Sequence, residues 1–114
     1  MESLGTIWNK GAGAQQGAPD LAYDRVYGGE TMGTSKQGSV AASYHTLLGL
    51  FGKPDPSADP SVRAYWDIRF DDGTVASIYD WEHTAPLEDV TRWNVGGFSP
   101  RALWNVLHVL ARQS

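Results

Sequence analysis

Cysteine is absent from this 114-residue chain, so no disulfide and no thiol chemistry enters its fold or its function. Long apolar runs are missing too. No stretch approaches the roughly 20 residues that a membrane-spanning helix needs, so no membrane partner is expected. Basic residues are in the minority, 9 against 13 acidic, for a formal charge of -4. A nucleic-acid backbone is therefore an unsuitable partner, because phosphate neutralisation asks for a lysine and arginine surplus. No signal-like apolar run follows a basic start, which makes the bacterial cytoplasm the expected compartment. The three histidines, His45, His83 and His108, are too dispersed in sequence to form a metal set, and no metal or cofactor is expected.

What is present is a core. Hydrophobic residues make up 41% of the chain and five of them are tryptophan, enough apolar surface for one domain and too little for two. Val62 to Phe70 and Thr74 to Trp81 flank Asp71-Asp72-Gly73, and this predicts a β-hairpin. Asp-Gly accepts the positive φ of a tight turn, and both arms are rich in β-branched and aromatic residues. Alternation puts Trp66, Ile68 and Phe70 on a core face. Tyr65, Asp67 and Arg69 fall on the other, with either Val75 and Tyr79 or their neighbours.

Residues 1–38 carry glycine at eight positions and read as a loop-rich arm, with Leu21 to Tyr27 as its one strand-like island. Val40, Tyr44, Leu47, Leu48 and Phe51 then form a helical stripe. Ser39 is the expected N-cap, Gly52 the left-handed C-terminal residue, and Pro54 the stop. Lys53 to Ser61, with three prolines, is a stiff connector. Val90 to Val95 reads as a third strand stopped by Gly96-Gly97. Ser99 and Pro100 open a last helix whose expected buried stripe is Leu103, Val106, Leu107 and Leu110, with Trp104 and His108 on its flank. The order α-β-β-β-α predicts a two-layer α+β domain over 39–114, an antiparallel sheet of three to four strands with both helices on one face.

Four groups of residues invite a functional reading. Gly28 to Ser35 nearly spells a phosphate-cradling loop, but Thr34 stands where the lysine belongs and Lys36 comes two residues late. Gly96 and Gly97 before a helix, with Arg92 and Arg101 near in sequence, suggest an anion site, with Trp81 available to stack on a base; the competing reading is a close-packed turn. Asp80 and His83 form an acid-base pair, though no nucleophile is placed beside them and no catalytic residue is assigned. Tyr65, Asp67, Arg69, Tyr79 and Trp81 form an outer face too aromatic for an ordinary wet surface, and are the candidate partner-binding set.

Leu50-Phe51-Gly52-Lys53-Pro54, the run Tyr65 to Trp81 and Trp93-Asn94-Val95-Gly96-Gly97 together resemble small proteins of tailed bacteriophages and prophages, a largely uncharacterised group. The resemblance spans roughly residues 45 to 110. It implies a phage setting and a compact domain, and supplies no catalytic residues. Small phage proteins of this kind often bind and block a host protein, including components of bacterial defence systems. The leading expectation is thus a non-enzymatic protein that engages a host-encoded partner, and that pairs as a homodimer through an exposed hairpin edge and the outer face. The alternative is a sponge for a nucleotide or other small ligand at Arg92, Gly96, Gly97 and Arg101.

Overall fold

The computed structural model describes residues 21–81 and 84–112. In chain order the elements are β1 (Tyr23–Arg25), β2 (Ser35–Ala41), α1 (Tyr44–Phe51), β3 (Tyr65–Phe70), β4 (Val75–Tyr79), a 3-10 turn (Leu87–Asp89), β5 (Arg92–Gly97) and α2 (Arg101–Ala111). The strands form one antiparallel sheet in the order β1-β3-β4-β5-β2. The α+β class holds, with five strands where three to four were expected.

The hairpin forms as its sequence dictates. Gly73 takes φ +88°, Thr74 N–H is held by Asp72 Oδ1 at 2.9 Å, and Trp66 pairs with Ile78, Ile68 with Ala76. Its apolar positions alternate onto one face with Val95, Trp93 and Val40, and all of these side chains are buried. Both helices cover that face. Tyr44 of α1 stacks on Trp93 with ring centroids 6.1 Å apart, Trp66 and Trp93 meet edge-on at 5.4 Å, and Phe51 packs on Tyr23 at 5.1 Å. Each buried tryptophan contributes roughly 4–6 kcal/mol by area. Both indole N–H groups are satisfied, by Gly52 O at 2.8 Å and Ala42 O at 2.9 Å.

Four expectations are corrected. Ser39 does not cap a helix: it lies in β2, where Val40 pairs with Trp93, and the cap is Ser43, whose Oγ accepts Thr46 N–H at 3.0 Å. Val40 fits the helical stripe by spacing alone, since a valine buried in a strand and one buried in a helix contribute the same apolar mark. Second, the boundary between 38 and 39 falls inside β2, and residues 21–41 supply both edges of the sheet. Third, Gly96 and Gly97 continue β5, paired to Ser77 and Ala76 on one side and to Lys36 and Ser35 on the other. Fourth, Leu107 is 44% exposed; α2 buries Ala102, Asn105, Val106 and Val109, because the helix sits down on Gly97, where only a glycine lets Ala102 approach. At its N-terminus Ser99 Oγ does accept Arg101 N–H, at 3.3 Å. The β3-β4 hairpin is interior, flanked by β1 and β5, so it offers no free edge for a dimer.

Candidate functional site

On the face of the sheet away from the helices, the register sets Tyr65 against Tyr79, Asp67 against Ser77 and Arg69 against Val75. Asn94 and Gly96 continue these rows on β5, followed by Ser39 and Lys36 on β2. This face is not left open. The loop after β1 returns across it through Gly28, Gly29 and Gly33, all at φ between +81° and +89°, a conformation that glycine adopts without strain. Glu30 Oε1 accepts from Arg69 Nη1 at 2.7 Å, and Thr31 Oγ1 donates to Asp67 Oδ2 at 2.9 Å. These contacts fasten the loop along β3.

The connector after α1 runs along the same side. Its course is fixed at Asp55, which exchanges backbone bonds with Tyr65 at 2.8 and 3.0 Å and accepts from Arg25 Nη2 at 3.0 Å. Arg25 also donates to the carbonyls of Phe51 and Lys53, at 2.8 and 2.7 Å, tying the end of α1 to β1. Between loop and connector lies a trough of two adjoining cavities that share Ser57, Tyr65 and Ser77. One, of about 560 Å³, reaches under the loop past Tyr27, Met32 and Asp67. The other, of about 310 Å³, is lined by Lys36, Asp59, Val62, Tyr79, Trp81 and Gly96. Trp81 is 45% exposed at the end of β4, and burial pushes the Tyr79 phenol above its ordinary pKa, so it is a neutral hydroxyl at physiological pH.

Of the expected partner-binding residues, Tyr65, Tyr79 and Trp81 come together in this trough, and Asp67 joins them under the loop. Arg69 does not, because Glu30 holds it. The expected anion set is dispersed. Arg92 lies at the opposite end of β5 from Gly97, five residues or roughly 17 Å along a strand. Gly96 faces the trough, where a Cβ would come 3.4 Å from Thr34 Oγ1 and 3.6 Å from the Tyr79 ring; Gly97 faces the helices, and Arg101 is exposed at the start of α2. The close-packing reading of Gly97 is the one this geometry carries.

The remaining groups have structural employment. The carboxylate of Asp80, 0% exposed, accepts Arg63 N–H at 2.8 Å, Ala64 N–H at 3.1 Å and Arg63 Nε at 2.9 Å, and so ties the segment before β3 to the end of β4. His83 lies outside the described residues. The stretch Gly28 to Ser35 feeds a strand, so no helix N-terminus is present to receive phosphates. Among the described residues no three His, Asp or Glu side chains converge on a metal position, and no helix is long and apolar enough to cross a membrane.

Sequence reasoning missed the cover: Glu30, Thr31, Ser57 and Asp59 sit in loops, where no periodic signal marks a face. The paired glycines at 28 and 29 were the available clue that the chain doubles back. Compared with protein-family models, curated proteins and solved structures, the chain matches none.

Proposed function

We propose that this chain is a non-enzymatic binding protein of the phage type, acting in the bacterial cytoplasm on a host-encoded protein, with the trough on the outer face of the sheet as its recognition surface. The observation that carries this reading is the convergence of Tyr65, Tyr79 and Trp81, from two strands and a strand end, around one concave and partly exposed site with a polar rim of Lys36, Ser57 and Asp59. Amphipathic aromatic rings in a recess are what binding hot spots are made of. The engagement of Asp80 in structural hydrogen bonds supports a role without catalysis. The net charge of -4 supports a protein partner over a nucleic acid.

The test is affinity capture from host lysate with wild type and Tyr79→Asp as baits. Wild type should retain one host protein in stoichiometric amount and the variant should lose it at least tenfold, while both unfold at the same denaturant midpoint. Equal retention would remove the trough from the account.

A second reading, self-association, is favoured by a different surface. β2 has no strand on its outer side among the described residues. On α2, Trp104 and Leu107 are 58% and 44% exposed, and Leu103, which lies over Gly38 of β2, is half-buried. A two-fold contact that joins β2 to its copy would cover both features at once. Sedimentation velocity should then show a dimer that Leu107→Lys converts to monomer; a wild-type monomer at about 100 μM, far above the Kd of a micromolar or tighter pair, would end this reading.

A further inference from the structure

The carboxylate of Asp67 is only half used. Oδ2 accepts the Thr31 hydroxyl at 2.9 Å, whereas Oδ1 is closed off from solvent and has no hydrogen-bond partner among the described residues. Among the described residues no lysine or arginine forms an ion pair with it. Asp55, which also lines the larger cavity, is paired with Arg25 at 3.0 Å, and Arg69, two residues along the same strand face, points its Nη1 at Glu30 of the loop at 2.7 Å. An enclosed carboxylate oxygen with nothing to accept is unfavourable in the free protein, and an asparagine there would keep the Thr31 bond without the charge. Groups held at such a cost concentrate where a ligand supplies the missing partner.

We infer that the cavity beneath the loop of residues 26–34 takes the cationic end of a lysine or arginine side chain from the protein partner, with Asp67 as its counter-charge. This rests on the outer face being the recognition surface and names the chemistry that surface reads. The lining suits such a side chain: Tyr65 and Tyr27 supply aromatic rings that attract a cation, and Met32 supplies a polarizable apolar surface for its methylene stem. Tyr27 already shows the preference, since the guanidinium carbon of Arg25 lies 5.5 Å from its ring centroid. Access to Oδ1 requires the loop to lift. Val26 anchors the start of the loop through its backbone N–H to Asp67 O at 2.9 Å; beyond it the Thr31 hydroxyl bond to Asp67 and the exposed Glu30–Arg69 ion pair fasten the loop, and Gly28, Gly29 and Gly33 are placed to absorb the change in backbone angles. The excess of acidic over basic residues draws a basic partner segment toward the protein.

The experiment is a titration of the ¹⁵N-labelled full chain with N-acetyl-arginine amide and N-acetyl-lysine amide, followed at the amides of Thr31, Asp67 and Ser77. Saturable shifts are expected, with a Kd on the order of millimolar for a single side-chain contact. Asp67→Asn should weaken binding at least tenfold while melting no lower than wild type. Thr31→Val, which frees the second oxygen, should bind at least as well as wild type. Absence of saturable shifts overturns the inference, as does undiminished binding by Asp67→Asn or a tenfold loss in Thr31→Val, which would put loop shape in place of charge. Spermidine bound more than tenfold tighter than either blocked amino acid would reassign the cavity to a free polyamine and overturn the protein side chain as its occupant. Because these probes need no host protein, capture of a partner by the trough without binding of the blocked amino acids would sink this inference and leave the recognition surface standing.

Discussion

The two faces of the sheet are built from alternate residues of the same strands and are held by different physics. Trp66, Ile68, Phe70, Ala76, Ile78, Trp93 and Val95 point one way and are fully buried against two helices. Tyr65, Asp67, Arg69, Ser77 and Tyr79 point the other way and are flanked by an irregular loop and a proline-rich connector, held through the Thr31–Asp67 hydrogen bond, the paired backbone bonds of Asp55 with Tyr65 and the ion pairs Glu30–Arg69 and Asp55–Arg25. The first face is fixed by area that water cannot reclaim. The second is fixed by polar contacts that exchange readily with solvent, each contributing about 1 kcal/mol or less. Stability is therefore concentrated on the side that the helices cover, and the capacity to rearrange on the side that the loop covers.

Substitutions on the two faces should separate these contributions. Trp93→Ala should be the most damaging, about 3–5 kcal/mol in urea unfolding, since it empties a site in ring contact with Trp66 and Tyr44. A loss under about 1 kcal/mol would mean that the helical layer is not the one that stabilises the fold.

The neighbouring glycines give the sharpest contrast. Gly97→Ala places a methyl group against Ala102 and should cost about 1–3 kcal/mol, whereas Gly96→Ala meets only contacts of 3.4–3.6 Å and should cost less than about 1 kcal/mol. Neither residue has a positive φ, so the difference reports packing alone. Thermal melts of the two variants check it. Equal midpoints would contradict the assignment of the two residues to opposite faces.

The smallest expected effect is at the hairpin turn. The backbone N–H of Thr74, the amide of Asn105 at 3.1 Å and the charge of Arg101 hold the Asp72 carboxyl below the usual carboxylate range. A folded pKa below the unfolded one adds stability that is present above about pH 4 and lost as pH falls through the folded value. Asp72→Asn should flatten the stability-pH profile in that acid window and leave the trough unaffected.

The hairpin and its alternation were legible in the sequence because both signals are local: Asp-Gly at the turn, and period two on either side. Tyr65, Tyr79 and Trp81 were legible for the same reason, as positions on a strand face or at a strand end. Val40 was misread because one valine preceding a helical stripe at i-4 fits helix and strand equally. The cover over the outer face was not legible at all. It depends on contacts between residues 36 and 39 positions apart, Thr31 with Asp67 and Glu30 with Arg69, and nothing in either segment alone marks its partner. The anion set failed for the converse reason, since Arg92 and Gly97 are near in sequence but an extended strand holds them apart.

The most direct test of the outer face as the recognition surface is carbene footprinting of the protein alone and with its captured partner. Labelling of Tyr65, Tyr79 and Trp81 should fall at least severalfold in the complex while Trp104 and Leu107 stay labelled. Protection of Trp104 and Leu107 with the trough still labelled would contradict the account and move recognition to the edge formed by β2 and α2.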